Sequence, residues 1–242
     1  MNWTGKRYWL VGASEGLGRA LAEHLSGAGA ELILSARSKE RLDELAATLP
    51  GPTQVVPLDI ADNDSVASAG KLLGHVDGVV FLAGVYWPMS AKHWDGQQAL
   101  TMADVNFTGA FRILNKVMPQ FLERDAGHIV ITGSLSGFRG LPRAIGYGAS
   151  KAGLMHLAEN LYSDLRDTGI RVQVSNPGFI KTRLTDKNEF QMPFIMTPQK
   201  AAGYMFRHME RGGFKQSFPT LFSLLFRFSQ FWPDWVYYRF FK

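Results

Sequence analysis

Apolar positions along this chain follow two rhythms. Short unbroken apolar runs lie at 6–12, 31–36, 54–58, 77–83, 128–132 and 170–175, each bounded by glycine, proline or charge. Such runs are too short for helices and read as strands buried on both faces. Between them, apolar residues recur every three or four positions. Leu17, Leu21 and Leu25 mark a first helix, and 38–49 and 62–73 predict two more. A long helix is predicted over 97–124, with Val105, Phe111, Leu114, Val117 and Met118 on its apolar face. Another opens at Tyr147 and runs through Leu154, Leu157, Leu161 and Leu165. Thr197-Pro198 starts one more, and 214–219 reads as an edge strand. Strands of this kind, alternating with helices, predict a three-layer α/β fold: a doubly wound parallel sheet of about seven strands with helices on both faces.

Composition adds bounds. At 242 residues and 46% apolar content, the chain is expected to be a single domain with a large core. No cysteine is present, which excludes disulfides and thiolate metal sites and fits a reducing, cytoplasmic setting. The apolar run near the N-terminus is too short for a signal-peptide core, and no window is long enough to span a membrane. The net charge of +5 favours phosphate ligands or anionic surfaces, but no nucleic-acid motif accompanies it.

The candidate chemistry lies where predicted strands end. Gly12, Gly16 and Gly18 sit on a strand-to-helix turn, the context in which glycines let a backbone approach a pyrophosphate at a helix N-terminus. This makes the fold Rossmann-type. The second strand ends in Ala36-Arg37 with no carboxylate. An acidic residue there would bind a ribose 2′-hydroxyl, whereas arginine suits a 2′-phosphate, so Arg37 favours NADP(H) over NAD(H). Asp59, Gly84 and Ser134 also follow strand ends, where ligands of such sheets bind. Tyr147 and Lys151 are four apart and share a helix face. A nearby ammonium favours the phenolate, and a phenol so tuned can exchange a proton with a substrate oxygen.

With these residues assembled, the chain resembles the short-chain dehydrogenase/reductase family. The likeness covers about 6–182 and rests on the three glycines, Asp59, Asn106, Ser134, Tyr147, Lys151, Pro177, Gly178 and Thr182, in that order. Ser134 precedes Tyr147 by thirteen positions, the family's usual spacing. The resemblance implies interconversion of a carbonyl and an alcohol by hydride transfer with NADP(H), on a small-molecule substrate. Tyr147 would be the proton donor or acceptor, Lys151 would lower its pKa and hold the nicotinamide ribose, and Ser134 would orient the carbonyl. Asn106 would hold a water that links Lys151 to solvent. Gly12, Gly16, Leu17 and Gly18 would bind the pyrophosphate. Arg37, aided by Ser14 and Ser38, would take the 2′-phosphate. Asp59 and Ile60 would contact adenine. Ala83, Gly84, Pro177, Gly178, Ile180 and Thr182 would complete the cofactor site. The family's habit implies a homodimer or homotetramer joined through the helices that carry Asn106 and Tyr147.

Three departures qualify the resemblance: Leu82 replaces the family's usual asparagine, Val11 replaces a threonine, and Glu15 is not basic. Leu82 is the one feature that favours an alternative, a nucleotide-sensing or scaffold protein without chemistry. The expected substrate wall is Tyr86, Trp87, Ser136, Phe138, Phe179, Met192 and Phe194, partly on a mobile segment 179–197, which points to an apolar substrate. Arg139, Arg143 and Arg183 are candidates for an acidic substrate, with plain surface arginines as the other reading. The tail 214–242 lies outside the likeness. It is rich in aromatics, Arg227, Arg239 and Lys242 outnumber Asp234, and Pro233 splits it into two short helices. Three readings stay open for it: packing on this or a partner subunit, lying on a membrane surface, or covering the pocket. The membrane reading brings a further alternative, a membrane-associated reductase of lipid carbonyls.

Overall fold

The computed structural model describes residues 1–188 and 190–241. Lys242 of the tail and Glu189 of the 179–197 segment lie outside them. Seven strands form one parallel sheet: β1 (Arg7–Val11), β2 (Glu31–Ser35), β3 (Thr53–Val55), β4 (Gly78–Phe81), β5 (Gly127–Thr132), β6 (Ile170–Pro177) and β7 (Lys215–Phe218). Their order across the sheet is β3-β2-β1-β4-β5-β6-β7. The direction of winding reverses between β1 and β4, which opens a crevice at the carboxyl ends of these strands.

Side-chain alternation explains why the strands read as continuous apolar runs. Trp9 and Val11 point to one face of β1, Tyr8 and Leu10 to the other, and all four are buried. The first face packs on α3 (Asn63–Leu72), α5 (Gly109–Arg124) and α6 (Ile145–Leu165), with Val117, Phe121 and Leu154 in the core. The second packs on α1 (Gly16–Gly27), α2 (Lys39–Ala46) and α7 (Pro198–Arg211), with Leu21, Leu25 and Met205 inside. Ser35 is buried in the sheet but satisfied, since its Oγ accepts from Trp9 Nε1 at 2.9 Å and donates to the Val56 carbonyl at 2.6 Å.

Three local readings change. The helix predicted over 97–124 is α4 (Gly96–Ala103) and α5, joined by a π-helical turn at Asp104–Thr108. A one-residue slip of this kind leaves the apolar period almost intact and is invisible to pattern reading. Strand β6 continues through Asn176-Pro177, because the edge strand β7 needs no donor from proline and Gly178 N resumes pairing at the Phe218 carbonyl, 2.8 Å away. Helix α6 begins at Ile145, ahead of Tyr147. Beyond β7 the tail forms α8 (Thr220–Ser229) and α9 (Asp234–Phe240), packed on the loop that follows β5. No helix among the described residues is long and apolar enough to cross a membrane.

Candidate active site

The glycine turn after β1 is built at the limit of backbone approach. Gly12 has φ of +100°, and a Cβ there would lie 2.6 Å from Ala83 N. A Cβ on Gly18 would fall 2.0 Å from the Gly12 carbonyl oxygen, so α1 packs directly on the loop. The Gly12 amide is fixed to the Ser35 carbonyl at 2.7 Å. No side chain caps the start of α1, which leaves its first N–H groups directed at the crevice.

A cavity of about 320 Å³ fills that crevice. Gly12, Ser14, Gly16, Leu17, Gly18, Arg37, Ser38, Asp59, Ile60, Ala83, Gly84, Pro177, Gly178, Ile180 and Thr182 all line it, and Ser134, Tyr147 and Lys151 close its inner end. Leu82 also faces it, while packing partly against the core on the α1 side. Sequence reasoning did not single out Arg41, which sits within α2 and lines the mouth. Arg41 is ion-paired to Glu15 at 3.1 Å, and Glu15 also holds Arg183 at 2.7 Å. The pairings are tertiary and carry no sequence signal. Among the described residues Arg37 has no ion-pair partner.

Ser134 leaves the end of β5 and its Oγ accepts from Ser136 N at 3.2 Å and Ser136 Oγ at 3.0 Å. The Ser134 and Tyr147 hydroxyls stand side by side where the two cavities meet. Tyr86 packs edge-on against the Tyr147 ring with centroids 5.1 Å apart. Lys151 Nζ donates to the Thr132 carbonyl at 2.9 Å and lies 5.7 Å from the centre of the Tyr147 ring. Burial pushes the Tyr147 phenol up to about 12, with the neighbouring Ser134 hydroxyl pulling the other way. Burial also pushes the Lys151 amine down to about 8. The phenol is therefore raised rather than lowered, the reverse of the expected direction, because enclosure penalises both ions.

Asn106 does not line the cavity. It is fully buried in the π-helical turn, where its Oδ1 accepts from Val85 N at 2.7 Å. Its Nδ2 donates to the Val85 carbonyl at 2.9 Å and to Ser150 Oγ at 3.1 Å, and Ser150 Oγ donates to the Tyr147 carbonyl at 2.8 Å. Both amide protons are thus spent, which ties the strand end after β4 to the start of α6. The side chain is a strut between these two elements.

A second, mainly apolar cavity of about 130 Å³ adjoins the first, and both are lined by Ser134 and Tyr147. Of the expected substrate residues, Tyr86, Ser136 and Phe179 line it. Trp87, Phe138, Met192 and Phe194 do not. Trp87 lies under the Lys187 ammonium, 4.4 Å from the ring centre. Phe138 turns inward between two parts of the core. The Met192 sulfur accepts from Asn188 Nδ2 at 3.3 Å. Phe194 is exposed at φ +56°, with its ring centre 5.3 Å from that of Phe222. Their places are taken by Leu141, Phe190, and two residues of the tail, Phe222 and Phe226. The i, i+4 spacing of those two phenylalanines was the available signal, but α8 is apolar on both sides and gave no orientation. Arg139 faces no ligand: its Nη1 donates to the Trp232 carbonyl at 2.9 Å and to that of Ser229, and it pairs with Asp234 and covers the Tyr237 ring at 4.1 Å. Arg183 is held by Glu15.

The model of the short chain dehydrogenase family matches residues 6–192. The chain belongs to that family. It is a dehydrogenase/reductase, and family members use nicotinamide cofactors. An uncharacterized oxidoreductase of Myxococcus xanthus is 38% identical over 93% of this chain and 92% of its own length. A sulfoacetaldehyde reductase of Chromohalobacter salexigens is 35% identical over 73% of each chain. Among solved structures, a short-chain dehydrogenase from Streptomyces avermitilis superposes with a TM-score of 0.83 at 25% identity, over 97% of this chain and 95% of its own. A Sphingobium yanoikuyae short-chain dehydrogenase in complex with NADPH shares the fold at a TM-score of 0.83 and 24% identity, over 89% of this chain and 88% of its own. The cradle fits such a cofactor: the space that any Cβ at Gly12 would fill, the uncapped start of α1 and the mouth arginines all suit a pyrophosphate and an anionic ribose.

Proposed function

We propose that this chain interconverts a carbonyl and an alcohol on an apolar small molecule, with NADP(H) as the redox partner. The observation that carries the reading is the Ser134–Tyr147 hydroxyl pair, which lines both the polar dinucleotide crevice and the apolar cavity. A substrate oxygen held there meets two hydroxyls at once. Ser134 orients it, and Tyr147 gives or takes its proton. The nicotinamide, when bound, supplies or receives the hydride. Lys151 stands next to Tyr147 with an amine that titrates near neutrality, and holds the ribose end of the site. The gain comes mainly from placement in an enclosed space. Arg37 and Arg41 at the mouth favour a 2′-phosphate over a bare ribose. Walls of Phe179, Phe190, Phe222 and Phe226 favour an apolar or aromatic substrate. The exposed Phe111 and Tyr162 on α5 and α6 support a homodimer or homotetramer joined through those helices.

The test is a thermal-shift comparison of NADPH with NADH, followed by a panel of ketones and aldehydes with the better cofactor. A larger shift with NADPH and turnover of apolar carbonyls are expected. Equal shifts remove the role given to Arg37. Cofactor binding without turnover of any carbonyl favours a non-catalytic nucleotide-binding role.

A further inference from the structure

Helix α8 is apolar on two opposite sides. Phe222 and Phe226 face inward and wall the apolar cavity. Leu221, Leu224 and Phe228, continued by Phe231, recur at i, i+3, i+7 and i+10 on the opposite side. Most of that outer stripe lies open: Leu221 is 80% exposed, Phe228 59% and Phe231 82%, while Leu224 is half-buried. In α9, Trp235 is 75% exposed, and Tyr238 and Phe240 stand out beside it. Exposed apolar area on this scale marks an interaction surface. The tail is also held firmly in place. Arg139 ties the α8–α9 joint by two carbonyls, an ion pair with Asp234 and a stacked Tyr237.

We propose that this outer face docks on an anionic lipid surface. The argument for that occupant is charge. Arg139 neutralises the acidic residue Asp234, while Arg227 and Arg239 are exposed and have no ion-pair partner among the described residues. The face thus combines bare aromatic and leucine side chains with unpaired guanidinium groups, on a chain of net charge +5. A two-fold pairing with a second copy would set a basic patch against itself. Anionic headgroups satisfy the arginines while Phe231, Trp235 and Leu221 enter the acyl boundary, where tryptophan and tyrosine settle with one polar edge in water. Docking does not rest on the reading of the chemistry. If both hold, the helix that lies on the bilayer is also a wall of the substrate cavity, so an apolar substrate reaches the site from the lipid phase.

The experiment is flotation of the full chain with phosphatidylcholine vesicles, with and without phosphatidylglycerol, at low and high salt. Binding to the anionic vesicles at low salt, weakened by salt, is expected. Arg227→Gln with Arg239→Gln lowers that binding on the order of tenfold or more. Phe231→Ser with Trp235→Ser abolishes it, with the melting temperature unchanged because both side chains are exposed. In the unaltered chain, brominated lipids quench tryptophan emission, and Trp235→Phe reduces the quenching. Absence of binding to anionic vesicles at low salt overturns the proposal, as does binding that both double variants retain. A dimer in sedimentation velocity that Phe231→Ser/Trp235→Ser dissociates, without vesicle binding, assigns the face to a second copy instead. Failure of turnover with vesicle binding intact removes only the reading of the chemistry.

Discussion

The Tyr147 and Lys151 side chains, one helical turn apart, are both held away from their charged forms, the phenol at about 12 and the amine at about 8. The Ser134 hydroxyl neighbours the phenol, and the amine donates to the Thr132 carbonyl. Tyr147→Phe therefore removes one hydroxyl and leaves the ring packing against Tyr86 in place. Carbonyl reduction is expected to fall at least about 10³-fold, the scale of a lost proton donor. The thermal shift with NADPH should persist. Turnover close to that of the unaltered chain rejects the proton-transfer role.

The same pair fixes a pH dependence of stability. An unfolded lysine titrates near ~10.4, whereas Lys151 in the fold titrates at about 8. Between those values the unfolded chain carries a proton that the folded chain does not. Stability then rises with pH, and it is lost as pH falls towards 8. Tyr147 works in the opposite direction only above ~10, where an unfolded phenol ionises first. Lys151→Met should remove the rise between these limits. Chemical denaturation of both proteins at several pH values measures it, and parallel curves contradict it.

Glu15 sits where it opposes an anionic cofactor. Its carboxylate occupies Arg41 and Arg183 at the cavity mouth, and its own charge repels a 2′-phosphate. Glu15→Gln should lower KM for NADPH several-fold and leave KM for NADH nearly unchanged. Arg37→Ala should raise KM for NADPH by about 10- to 100-fold, the range of one charge-assisted hydrogen bond. The ratio of the two cofactors' kcat/KM values separates these effects from general damage. A Glu15→Gln ratio that moves towards NADH removes the electrostatic argument.

Much of this arrangement was readable because the strands are buried on both faces and announce themselves as apolar runs. Gly12, Asp59 and Ser134 could be placed at one sheet edge from strand ends alone. What failed was direction. An aromatic in a loop does not declare which way it turns, so Phe138 points into the core and Phe194 into solvent. Helix α8 has aromatics on opposite sides, and only packing reveals that Phe222 and Phe226 face the cavity. Arg139 read as either a ligand for an acidic substrate or a plain surface arginine, and it instead holds backbone carbonyls about ninety residues away, a pairing no local pattern encodes. The π-helical turn at Asn106 left the helical period intact, so its strut function was hidden.

His128 makes stability acid-sensitive. It is buried between Tyr8 Oη at 2.8 Å and Gln173 Oε1 at 2.8 Å. Gln173 Nε2 already donates to the His208 and Gly213 carbonyls, so Gln173 Oε1 can only accept. The histidine proton is therefore on Nε2, and Nδ1 accepts from Tyr8. Burial holds the ring neutral down to about 3, against ~6.5 when unfolded. Stability is full above the unfolded value and falls with acid at up to about 1.4 kcal/mol per pH unit. His128→Asn should flatten that slope. An unchanged slope assigns the acid response to other groups.

Arg139 should control substrate affinity without touching substrate. It holds the Ser229 and Trp232 carbonyls at the α8–α9 joint, and Ser229 is fully buried. Tyr237 beneath the guanidinium has a buried hydroxyl with no hydrogen-bond partner among the described residues, so the joint has few contacts in reserve. Arg139→Met strips the Trp232 carbonyl of its donor and leaves the Ser229 carbonyl only the Trp232 amide at 3.1 Å, a loss of about 1–3 kcal/mol at most. Released from the joint, α8 withdraws Phe222 and Phe226 from the cavity wall. KM for an apolar ketone should rise several-fold, and kcat should hold, because Ser134, Tyr147 and Lys151 are carried by the β5 end and α6. Arg139→Lys should not restore KM, since an ammonium lacks the planar fork that gives one nitrogen to both carbonyls and another to Asp234 while lying flat on the Tyr237 ring. Limited proteolysis should cut the tail faster in both variants. A lower melting temperature with KM unchanged would show that the tail stabilises the fold without shaping the substrate site.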